Sequence, residues 1–120
     1  MSEMSDSPAD PAAPVPRALR VLASAENLGV LRSVHQPSSW LTGLQYRQGR
    51  IYLFDQGFVL AQGTANLQLF RRGRFTARKS PGGYLINGDD GRGMVLGRKW
   101  TGFADLERAI TAGARQPETR

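Results

Sequence analysis

The densest run of ionisable side chains in the chain is cationic. Arg71, Arg72, Arg74, Arg78 and Lys79 follow one another with no acid among them. A field of that kind attracts anions: nucleic acid, acidic lipid headgroups or an acidic protein surface. These five residues are the candidate anion- or partner-binding site, set against the plainer reading of a solvated, Arg-rich hairpin. Phe70 and Phe75 flank its turn and are expected to pack inward, not to stack on bases. Other chemistry finds little material. His35 is the one histidine, and the carboxylate nearest to it in sequence is Glu26, so neither a general-base pair nor a zinc ligand set is spelled out. Asp89 and Asp90 lie within Gly-Asp-Asp-Gly and read as turn formers, with no distal Glu to complete a calcium loop. Gly88 to Gly93 lacks the Lys-Ser/Thr of a phosphate-cradling loop, and Ser38-Ser39 has no nucleophile-elbow setting. With no cysteine, disulfides and thiolate metal sites are excluded. The expectation is therefore no catalytic residue, no metal and no cofactor: a binding module, not an enzyme.

The elements that would carry these residues are small. A length of 120 residues is one domain's worth. Met1 to Pro16, with four prolines and the acids Glu3, Asp6 and Asp10, reads as a disordered acidic tail, and residues 116–120 as a frayed end. The N-terminus does not resemble a signal peptide and no apolar run would cross a bilayer, so the cytoplasm is the expected compartment. Between the tails the charge is strongly positive: the chain carries +6 overall in spite of its acidic start. Residues 17–28 carry a helical pattern through Leu19, Leu22, Ala23 and Leu28, with Asn27 and Gly29 as stop signals. Whether this helix packs on the rest is left open by the sequence.

From residue 29 the pattern becomes short strands. Leu31 and Val34 suit a half-buried edge before Pro37-Ser38-Ser39. Arg50-Ile51-Tyr52-Leu53-Phe54 and Phe58-Val59-Leu60-Ala61 flank Asp55-Gln56-Gly57 as a hairpin. Leu67 to Phe70 and Arg74 to Lys79 flank Arg71-Arg72-Gly73, and Tyr84-Leu85-Ile86 and Met94-Val95-Leu96 flank a second Gly/Asp turn. A closing helix at 102–113 places Phe103, Leu106, Ala109, Ile110 and Gly113 on one stripe, with Thr101 as its expected N-cap. Trp40 and Trp100 are expected to be packing residues, Trp100 seating this helix.

That order resembles a pleckstrin-homology-like (PH-like) domain: about seven antiparallel strands in a partly open barrel, mainly β, capped by a C-terminal helix and here preceded by an N-terminal helix. The likeness is to small bacterial PH-like proteins in particular. It is carried by Arg50 to Val59, by the strand ending at Phe70-Arg71, by Tyr84-Leu85-Ile86 with the Asp89-Asp90-Gly91 hairpin, and by the Phe103-to-Ile110 helix. The resemblance implies a binding scaffold. In lipid-binding members the loop between the first two strands holds inositol phosphates. The corresponding stretch, Gln36 to Gly49, offers Arg47, with Arg50 just beyond, and no lysine, which departs from that pattern. The function expected is a non-enzymatic interaction module for a protein partner. The alternative is peripheral binding to an anionic membrane or nucleic acid through Arg71 to Lys79. No small-molecule substrate is indicated.

Overall fold

The computed structural model describes residues 15–37, 49–62 and 66–115. Helix α1 (Arg17–Ala25) leads. Seven strands follow: β1 (Leu31–His35), β2 (Arg50–Phe54), β3 (Gly57–Gln62), β4 (Asn66–Arg71), β5 (Phe75–Ser80), β6 (Gly83–Gly88) and β7 (Gly93–Gly97). Helix α2 (Phe103–Gly113) closes the described chain. The tails expected at 1–16 and 116–120 fall outside the described residues apart from Val15 and Pro16, as do Trp40 and Arg47.

The strands form two antiparallel sheets, one ordered β1-β2-β3-β4 and the other β5-β6-β7. Both are meanders of sequence-adjacent strands; the joins are short turns except between β1 and β2, which residues 36–49 separate. Phe54 pairs with Gly57 across the two-residue turn Asp55-Gln56. At the β6–β7 turn, Asp90 Oδ1 accepts the Arg92 amide at 3.0 Å, and Gly88 N donates to Arg92 O at 2.7 Å. The result is a β-rich α+β fold.

Burial explains the continuous apolar runs of β2 and β3. A strand covered on both faces needs apolar residues at every position. Ile51, Phe58 and Leu60 point with Phe70 into a core shared with Phe75, Ile86, Met94 and Leu96 of the second sheet. Tyr52, Phe54, Val59 and Ala61 point the other way, into a second cluster with Leu19, Leu22, Ala23 and Leu28. Helix α1 is therefore packed: it covers the outer face of the four-stranded sheet, and Leu19 is wholly buried. The α1 helix ends at Ala25, shorter than the expected 17–28. Asn27 (φ 54°) and Gly29 (φ 85°) turn the chain so that Leu28 drops into this cluster.

A β-bulge explains why β1 alternates poorly. The register slips between Leu31 and Ser33, so that Leu31 and Val34 face Phe54 and Tyr52, while Ser33 and His35 face Leu53 and Ile51. Leu31 and Val34 thus join the α1 side, and Ser33 and His35 turn inward.

At the centre of the shared core, Phe58 stacks on Phe70 with centroids 4.8 Å apart. Phe75 meets Phe58 edge-on at 5.3 Å and Phe70 at 6.3 Å. Such pairs add about 0.5–1.5 kcal/mol each beyond area burial. The two phenylalanines flanking the basic turn are thus core residues. Helix α2 places Leu106, Ile110 and Gly113 against this core. Its C-terminal end is fastened by Gly73 N to Gly113 O (2.7 Å) and Arg115 N to Phe75 O (2.6 Å).

Two local expectations are corrected. Arg71-Arg72-Gly73 does not head a hairpin: β4 and β5 belong to different sheets, and the turn carries the chain from one to the other. The reason is the inward pull of Phe70 and Phe75 onto Phe58, which folds the strands across the core instead of side by side. Thr101 does not cap α2. The N-cap is Gly102 in the left-handed conformation (φ 63°), and Thr101 Oγ1 instead accepts the Gln36 amide at 3.0 Å.

Candidate anion-binding surface

The sheet corner divides the five cations. Arg71, at the end of β4, turns toward α1: its Nη1 donates to the Glu26 carbonyl at 2.7 Å and to Glu26 Oε1 at 2.9 Å. It satisfies a carbonyl at the helix C-terminus, where a cation is favoured by the helix dipole. Arg74 leans toward Asp89 at a loose 3.8 Å, and Asp89 also receives Arg115 at 2.6 Å. Asp90 pairs with Arg92, whose Nη1 also reaches the Leu67 carbonyl on β4 at 3.3 Å. The Arg71–Glu26, Arg74–Asp89 and Arg92–Asp90 pairs line a groove of about 470 Å³ between α1, β4 and the β6–β7 turn, with Leu67 and Leu69 in its wall. Asp89 and Asp90, expected as turn formers, thus also neutralise the neighbouring arginines.

Arg72, Arg78 and Lys79 are exposed and have no ion pair among the described residues. Arg72 sits at the corner, held by its backbone amide on Gln56 O at 2.8 Å. Arg78 and Lys79 lie near the far end of β5. The register runs Ser80↔Gly83↔Gly97 across the sheet, so Arg98 and Lys99, which follow Gly97 directly, arrive at that same end. Both are exposed. Arg98 lies close enough to Tyr84 to pull on its hydroxyl's pKa, although the hydrogen bond from that hydroxyl to Glu107 Oε2 (2.7 Å) prevails and raises it. The structure thus splits a cluster that is contiguous in sequence and assembles another from residues about twenty apart. The signal that could have found Arg98 and Lys99 was the β5–β6–β7 register, once both hairpins were drawn.

Sequence spacing also missed a buried polar cluster. His35 Nδ1 lies 2.6 Å from the Thr101 carbonyl, and its Nε2 lies 2.7 Å from Ser33 Oγ. A carbonyl only accepts, so Nδ1 carries the proton; in the neutral ring Nε2 then accepts from the Ser33 hydroxyl. The connectivity is that of a nucleophile, a base and an orienting group. However, Ser33 is 8% exposed and His35 1%, so the pair is shut off from solvent. It acts as a fastener between β1 and the segment entering α2, alongside Thr101 N to Gln36 O (2.8 Å) and the Pro37–Trp100 bridge. Burial pushes the imidazole below its ordinary pKa, partly offset by the Thr101 carbonyl and the charge of Asp105. Trp100 is buried at this junction, in the position expected of it.

Among the described residues no three His, Asp or Glu side chains gather as metal ligands. No described helix is long and apolar enough to cross a membrane. No family model, no curated protein and no solved structure matches the chain.

Proposed function

We propose that this chain is a non-enzymatic, PH-like binding module whose partner is a protein. What supports the PH-like reading is the arrangement of a four-stranded and a three-stranded meander facing each other, with a C-terminal helix packed against their shared core. What carries the binding reading is one observation: among the described residues the cations outnumber the acids able to pair with them. Surplus charge of one sign speeds encounter with a complementary partner and selects against others.

The alternative, an anionic membrane or nucleic acid gripping Arg71 to Lys79, draws less support. Arg71 is spent on α1, and Arg74 shares Asp89. The test is capture with the full chain as bait at about 0.15 M ionic strength. One stoichiometric protein, retained by wild type, is the expected result. Retention confined to phosphatidylserine vesicles or DNA, and lost steeply as salt rises, would assign the chain to the alternative instead.

A further inference from the structure

Every carboxylate among the described residues is already engaged. Glu26 takes Arg71, Asp55 takes Arg32, Asp89 takes Arg74 and Arg115, and Asp90 takes Arg92. Asp105 takes Arg108, and Glu107 accepts the Tyr84 hydroxyl. The cations left over are unevenly placed. Arg17 and Arg20 ride on α1, Arg50 heads β2, and Arg72 marks the sheet corner. The other four lie toward one end of the β5–β6–β7 sheet: Arg78 in the outer row with Leu85 and Val95, Lys79 in the next row, whose Tyr84 and Leu96 face the core, and Arg98 and Lys99 just past Gly97. Neighbouring strands lie about 4.8 Å apart, so β5 and β7 are separated by about 10 Å, roughly a Debye length. The four charges thus make a local surplus at this end of the sheet, Arg78 leaving it on the outer face and Lys79 on the other.

The outer face of the same sheet adds an apolar strip. The register sets Arg78, Leu85 and Val95 in one cross-strand row. Leu85 is half-buried and Val95 is 48% exposed. Gly93 and Gly97 flank Val95 and keep the face low, leaving room for an extended chain to lie flat on it. Among the described residues no helix packs on this face, whereas α1 covers the outer face of the four-stranded sheet.

We infer that this face, with Arg78, Lys79, Arg98 and Lys99 at its end, docks an extended acidic protein segment that carries an aliphatic side chain for the Leu85–Val95 strip. The inference rests on the binding-module reading and names its surface and partner chemistry. A protein segment fits better than the other polyanions. Base stacking needs an exposed aromatic ring, and the aromatic side chains of this sheet, Phe75 and Tyr84, are buried. Lipid insertion needs a bulky apolar tip, and the turn beside these cations is Pro81-Gly82.

The test uses the full chain and a fluorescein-labelled peptide of glutamates interrupted by leucine, followed by anisotropy. Arg78, Lys79, Arg98 and Lys99 are changed together to Ser. A control changes Arg17, Arg20, Arg50 and Arg72 to Ser, removing equal charge elsewhere, and thermal melts check both folds. The first variant should bind about ten-fold more weakly or worse, and the control should stay within about two- to three-fold of wild type. Equal weakening in both would overturn the site in favour of a net-charge effect. Tighter binding to phosphatidylserine vesicles or single-stranded DNA than to the peptide, lost in the first variant, would overturn the partner class. A captured protein that binds the first variant as well as wild type would overturn this surface and leave the binding-module reading standing. Neither peptide binding nor any captured partner would sink both.

Discussion

The stability of this fold should depend on pH in a window that belongs to His35 alone. His35 is the single histidine in the chain, so no other side chain of ordinary pKa titrates between about pH 5 and 8. In the folded protein its ring is 1% exposed, and burial holds its pKa below the ordinary 6.5. The sign follows directly. As pH falls through 6.5 the unfolded chain takes up a proton that the folded chain refuses, so stability drops; above that range it is level, and below the folded pKa it levels again. The steepest slope for one group is about 1.4 kcal/mol per pH unit. For a domain of this size each kcal/mol is worth about 4–8 °C in Tm. Urea unfolding at about pH 7.5, 6.5 and 5.5 reads the slope free of carboxylate effects. Asp55 is held below its ordinary 3.8 by Arg32 and the Val30 amide, so its contribution is lost only at more acid pH. His35→Gln should flatten the curve across this window. Wild-type stability that stayed level or rose on acidification, or an equal slope in His35→Gln, would refute the reasoning.

Three further perturbations address the scaffold. Leu106→Ala removes a wholly buried α2 side chain and should cost about 2–5 kcal/mol in urea unfolding. Gly102→Ala puts a methyl group 3.1 Å from His35 Cε1 and Nδ1 at a left-handed position. The backbone conformation alone costs about 1–2 kcal/mol, so a melt unchanged from wild type would contradict the described entry into α2. Arg71→Ala should cost about 0.5–1 kcal/mol and speed amide exchange across Leu19 to Leu28 while leaving β5–β7 protected. Uniform exchange throughout would mean that Arg71 does not clamp α1.

The strands were legible where their chemistry is local. Ile51-Tyr52-Leu53-Phe54 and Phe58-Val59-Leu60-Ala61 announced themselves because strands buried on both faces read as unbroken apolar runs. Phe70 and Phe75 were legible as core. The helix limits were close, with Asn27 and Gly29 as stop signals. What escaped the sequence was placed by long-range packing. Nothing near Arg71 foretells Glu26, and the corner between β4 and β5 is set by rings meeting across the core. The bulge in β1 hid the inward turn of His35, since its cost and reward lie in pairing with β2. Arg98 and Lys99 joined Arg78 and Lys79 only through the register of two hairpins.

Because each sheet is an uninterrupted meander, every ladder contact joins strands that are neighbours in the chain. Loop closure within each half spans at most residues 36–49, between β1 and β2, and is therefore entropically cheap. The slow step of assembly is left to the meeting of the halves, where Phe58, Phe70 and Phe75 interlock and α2 threads its last turn onto Gly73 and Phe75. A chain cut at the exposed Arg72-Gly73 link would thus yield two fragments, each holding a complete set of hairpins, whose reassociation isolates that step from the rest of folding.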